Sequence, residues 1–174
     1  MKHDLISQRR LVYCTILLLC AIVPRMTYQV GCDPMAYLCH QFSHAHILHL
    51  LINVCAFIGL MEVVCQTLNP LKITLVAYLA SVVSAIITSN TLPTIGCSAM
   101  VYFLLGVMLS LALGGKVLKI RDRKRMLLSI LFIVLATVAT LFAPMVATFN
   151  HIISLVIGLI FGALEHLQYS KYYR

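Results

Sequence analysis

The sequence predicts an all-α polytopic membrane protein: a bundle of six transmembrane helices forming one domain over residues 1–174. Hydrophobic residues make up 61% of the chain and charged residues 10%, against about 45–50% and about 25% in soluble domains. That balance excludes a water-soluble core of this size, and equally a disordered chain. Six apolar runs follow one another, and six spans of about 20 residues would leave roughly 50 for loops and tails. The charges are also segregated along the chain in a way that only a membrane topology explains.

The first run, Leu11–Val23, follows Arg9 and Arg10. It is expected to continue past Pro24 towards Tyr28, with Arg25 snorkelling to the interface. A basic start before an apolar stretch also suits a cleaved signal peptide, but no A-x-A-like site follows and five further runs do, so a retained first helix is expected. The second run, His46–Cys65, is preceded by a histidine-rich segment. The third, Leu71–Thr88, is set off by Asn69-Pro70, and the fourth, Cys97–Leu113, ends at Gly114-Gly115. The fifth, Met126–Val146, is almost wholly aliphatic over Leu127–Ala143, as a loosely held lateral gate or a lipid-facing helix would be. The sixth is Phe149–Leu167.

Six spans place both termini on one side. Lys2, Arg9, Arg10, Lys72, the basic residues from Lys116 to Arg125, Lys171 and Arg174 then share that side, with Arg25 opposite. By the positive-inside rule the termini are cytoplasmic, in a bacterial inner membrane. The net charge of +8 is thus a topology signal with an anionic-lipid contact at Lys116–Arg125, not a nucleic-acid patch. The seven cysteines form no C-x-x-C pair. Most lie in apolar runs and read as small buried hydrophobes, and only Cys32 and Cys39 are placed to pair outside the membrane.

Ionisable and polar groups inside spans are costly, which makes them functional candidates. Here they gather in the outer third of three helices. "HQFSHAHILHLLIN" opens the second span with His40, His44, His46, His49 and Asn53, "GCSAMVYFLLG" opens the fourth with Ser98, and "FNHIISLVIGLIFG" opens the sixth with His151. Ser98, Tyr102, Gly106, Ser110 and Gly114 recur every fourth residue, and His151, Ser154, Gly158 and Gly162 form a similar stripe. Each is a polar residue above a ladder of small residues that lets two backbones approach in a bilayer. Packing the ladders together sets Ser98 beside His151, the minimum for a nucleophile with its general base. His49 and Asn53, one turn apart, can aim at one spot with the Ser98 amide as oxyanion donors. No carboxylate lies at this level, so a dyad is expected rather than a triad.

These residues resemble the rhomboid intramembrane serine proteases. "GCSAMVYFLLG" is similar to the family's G-x-S-G motif, "HAHILHLLIN" to its H-x-x-x-N signature, and "HIISLVIG" to its H-x-x-G-x-x-x-G motif. The resemblance implies a Ser98 nucleophile, a His151 base, and His49 and Asn53 in the oxyanion hole. It implies supporting roles for Gly96, for Tyr102 packed on the histidine, and for His44 and His40. It implies no cofactor and no metal, with transmembrane proteins as substrates and the lipid bilayer as the surrounding partner. The chain departs from the pattern at Ala99, at Ser154, and at Met35-Ala36 in place of a Trp-Arg pair. His46 and Glu62 receive no role. Two other readings stay open: a catalytically inactive rhomboid-like binder of membrane proteins, and a metal or haem protein using the four histidines between His40 and His49.

Overall fold

The computed structural model describes residues 2–29, 31–88, 94–113, 124, 127, 128, 130, 131, 134 and 148–172. Its helices are α1 (Lys2–Ile22), α2 (Pro34–Cys39), α3 (Ile47–Val64), α4 (Pro70–Thr88), α5 (Ser98–Leu113) and α6 (Thr148–Tyr172), with a single 3₁₀ turn at His40–Phe42. Among the described residues there is no strand beyond an isolated antiparallel bridge between Tyr28 and Thr94. Four helical stretches, Asp4–Ile22, Ile47–Val64, Pro70–Thr88 and Thr148–Gln168, are long and apolar enough to cross a bilayer, and α5 is a shorter apolar helix. The chain is an all-α integral membrane protein, and six spans fit it. Residues 127, 128, 130, 131 and 134 of the fifth run are helical. The rest of that run, the gate reading over 127–143 and nearly all of the basic segment 116–125 lie outside the described residues.

Helices dominate because lipid offers the backbone no hydrogen-bond partners, so each span must satisfy its own. The core gathers around α5. Met100, Phe103, Leu104, Val107 and Met108 are fully buried there, against Phe57, Leu60 and Met61 of α3 and Ile73 and Ala77 of α4. Large apolar side chains such as Leu18, Leu75, Leu79, Ile87 and Ile160 point outward. In hydrocarbon they carry no penalty, because lipid is as apolar as leucine.

One expectation is corrected here. The first span does not continue to Tyr28: α1 ends at Ile22, closed by the Val23 N–H bonding Leu19 O at 2.9 Å. Pro24 lacks an N–H and disfavours helix in the residue before it. The chain beyond has no regular secondary structure, with Arg25 exposed, until Tyr28 pairs with Thr94.

The two glycine ladders do pack together. A Cβ at Gly162 would sit 2.8 Å from Ser110 Cβ and 3.0 Å from Val107 O, and one at Gly106 2.8 Å from Leu159 N. A Cβ at Gly158 would strike the Phe103 backbone. Near the C-terminal end of α3, Glu62 accepts from Arg9 Nη1 and Tyr13 Oη, each at 2.8 Å, clamping α3 to α1. Lys72 bridges to Glu165 Oε1 at 2.6 Å, tying α4 to α6. Asn69 caps α4, its Oδ1 accepting from the Leu71 and Lys72 amides at 3.0 Å, before a proline whose missing donor suits a first turn. All seven cysteines are free thiols, Cys32 and Cys39 included.

Candidate active site

The segment leading into α5 is held from two directions. Tyr28 and Thr94 exchange both backbone bonds, at 2.8 and 2.7 Å, and the Gly96 N–H donates to His40 O at 2.9 Å. Gly96 has φ +104°, a conformation L side chains rarely adopt, and a Cβ there would lie 2.8 Å from His49 Cε1 and 3.2 Å from Asn53 Nδ2. Glycine is therefore required twice over: for the turn, and for pressing the backbone against the two α3 side chains. Ser98 then begins α5.

Ser98 Oγ lies 2.8 Å from His151 Nε2. The Tyr102 ring, one turn further along α5, stacks on the imidazole with centroids 4.4 Å apart and planes 8° from parallel. With no carboxylate beside the ring among the described residues, this stacking restricts its rotation. For the hydroxyl to donate to Nε2, the imidazole proton resides on Nδ1, the tautomer a general base needs.

Across the loop, His49 Nδ1 accepts from the Ala45 N–H at 3.4 Å, which leaves the proton on Nε2, the atom beside Gly96. Asn53 Nδ2 is buried and has no hydrogen-bond partner among the described residues. Leaving a buried donor unsatisfied costs about 1–3 kcal/mol, and the natural occupant of such a position is an acceptor that arrives with a ligand. The Ser98 amide lies in the first turn of α5, where helical N–H groups lack intrahelical partners.

The remaining histidines are sent elsewhere. His46 caps α3, its Nδ1 accepting from the His49 N–H at 3.1 Å. His44 donates through Nδ1 to Phe42 O at 3.3 Å and meets Cys97 Sγ with Nε2 at 3.7 Å, so the thiol donates to the imidazole. Burial, with the His49 ring beside it, holds the His44 pKa down at about 4. His40 is fully buried, donates through Nδ1 to Ala36 O at 3.0 Å, and has its pKa lowered by desolvation. Among the described residues no three His, Cys, Asp or Glu side chains converge as a metal site would require.

The loop in which Met35-Ala36 stands in place of a Trp-Arg pair has anchors of its own. Asp33 caps α2, Tyr28 packs edge-on against Tyr37, and Tyr78 Oη donates to Leu38 O at 3.1 Å. Sequence reasoning missed three residues around the site. Tyr28 contributes backbone pairing, which leaves no side-chain pattern. Ser84 and Asn150 are buried and joined by a hydrogen bond between α4 and α6, and their signal was polarity inside two apolar runs.

Compared with known proteins, the Rhomboid domain family model matches residues 32–168. No curated protein matches the sequence.

Proposed function

We propose that this chain, which belongs to the rhomboid family, is a serine endopeptidase that cuts transmembrane protein substrates within the bilayer. The observation that carries the reading is the 2.8 Å contact between Ser98 Oγ and His151 Nε2. Asn53 Nδ2, buried against Gly96 and without a hydrogen-bond partner among the described residues, supports it.

The substrate helix unwinds locally, since a carbonyl bonded within a helix is not open to attack. Ser98 Oγ then bonds to the carbonyl carbon as its proton passes to His151 Nε2, and the carbonyl π electrons move onto oxygen. Asn53 Nδ2, His49 Nε2 and the Ser98 amide donate to that oxyanion. Collapse of the intermediate breaks the C–N bond, and the departing amine takes the proton from His151. Water, deprotonated by the same imidazole, hydrolyses the acyl-enzyme and regenerates Ser98. Substrates with small or helix-breaking residues near the outer membrane boundary suit this sequence of steps. The basic residues fit termini on the cytoplasmic side of a bacterial inner membrane.

The test is a reconstituted assay with a model transmembrane substrate. Wild type should cut it and label with a serine-directed phosphonate, and Ser98→Ala should lose both, with turnover down at least about 10³-fold. A folded wild type that binds substrate but neither cuts nor labels would identify an inactive binder instead.

A further inference from the structure

Three polar side chains between α4 and α6 are among the most deeply buried in the protein, and the chemistry above uses none of them. Ser84 is 0% exposed, Asn150 1% and Ser154 0%. The Ser154 hydroxyl donates to Ser84 Oγ at 2.7 Å. The Ser84 hydroxyl in turn reaches Asn150 Oδ1, and also lies 3.0 Å from Ser81 O in its own helix. Asn150 immediately precedes His151.

Helix geometry explains why this cluster bears on the site. At about 100° per residue, Asn150 and Ser154 lie within about 40° of each other on α6. His151, Gly158 and Gly162 occupy a second flank, about 80–120° round from Asn150. The second flank faces α5, where a Cβ on Gly158 or Gly162 would meet the backbones of Phe103 and Val107. The first faces α4 through the hydroxyls. A glycine ladder resists separation of two helices but has few side chains to key them against rotation or sliding. The Ser98–His151 bond and the Tyr102 stack both depend on the rotation of α6.

We propose that Ser84 and Asn150, assisted by Ser154, form a rotational lock that sets the angle at which α6 presents His151 to Ser98. They are positioning residues for the proposed proteolysis, on which this inference rests, and the side-chain bonds named above join them to one another and to Ser81 O rather than to Ser98 or the His151 ring. In hydrocarbon such a lock is effective because an unbonded hydroxyl or amide has no water to turn to. Misplacing a reacting group by about 1 Å costs on the order of 10²-fold in rate.

The experiment compares wild type, Ser84→Ala, Asn150→Ala and the double variant in liposomes with a model transmembrane substrate. Rates are referred to the concentration of phosphonate-titrated sites, and ¹⁵N-histidine NMR follows the His151 Nε2 signal. The lock predicts kcat per titrated site reduced about 10-fold or more in each single variant, with KM within about twofold. The double variant should be no worse than the more impaired single one, and the His151 signal should broaden or shift. A purely structural role would lower the number of titrated sites while leaving kcat per site and the His151 signal as in wild type, and that result overturns the proposal. If wild type cuts nothing, the protease reading fails separately. The lock is then judged by NMR alone, where an unchanged His151 signal in Ser84→Ala overturns it and a changed one supports it.

Discussion

Asn53 sets stability against activity within one side chain. Its Nδ2 is buried without a partner among the described residues, so replacing it removes an unsatisfied donor as well as the hydrogen bond proposed for the oxyanion. Asn53→Ala should leave the thermal unfolding midpoint within a few degrees of wild type or raise it, since the lost packing is offset by relief of the orphaned amide. Turnover should fall about 10²–10³-fold, measured as kcat on a transmembrane substrate. His44 supplies a different residue-scale effect. Its pKa is held at about 4 in the fold, below the usual value of about 6.5, so between those limits the unfolded chain binds a proton that folded His44 refuses. The stabilisation is therefore complete above about pH 6.5 and declines as the pH falls towards 4. Unfolding midpoints measured across that interval should drop, and the slope should be shallower in His44→Gln.

At the scale of elements, the contact between α5 and α6 has no slack. A Cβ at Gly158 would strike the Phe103 backbone, which cannot swing aside as a flexible side chain would. Gly158→Ala should therefore push α6 outward, lower the unfolding midpoint and reduce turnover at least about 10-fold. The pairing of these two helices was legible in the sequence because small residues at fourfold spacing stand out in an apolar run. So was the approach of Ser98 to His151, since polar groups are few at that depth. The end of α1 was not legible by hydropathy: apolar composition continues through Val23 and Met26, while Pro24 interrupts the backbone. Ser84 was passed over because serine in a membrane helix reads first as a small packing residue, and only its contact with Asn150 gives it another meaning. Glu62 lacked a role because its partners, Arg9 and Tyr13, sit on a helix distant in sequence.

At the scale of the whole molecule, the described residues set two polar levels apart: ion pairs at one end of the bundle, and the serine and histidine at the other. The ion-pair level serves to hold helices rather than to react. Glu62→Gln should accordingly cost about 1 kcal/mol of stability, read as a lower unfolding midpoint, while kcat per titrated serine stays as in wild type. The Tyr28–Thr94 bridge lies at the serine end of this design. It closes a ring of chain that runs out from α1, through α2, α3 and α4, and back to the threshold of α5. Closing so long a ring carries an entropic cost that the docking of the enclosed helices must offset. On the proposed chemistry, the geometry around Ser98 is complete only once that ring is closed.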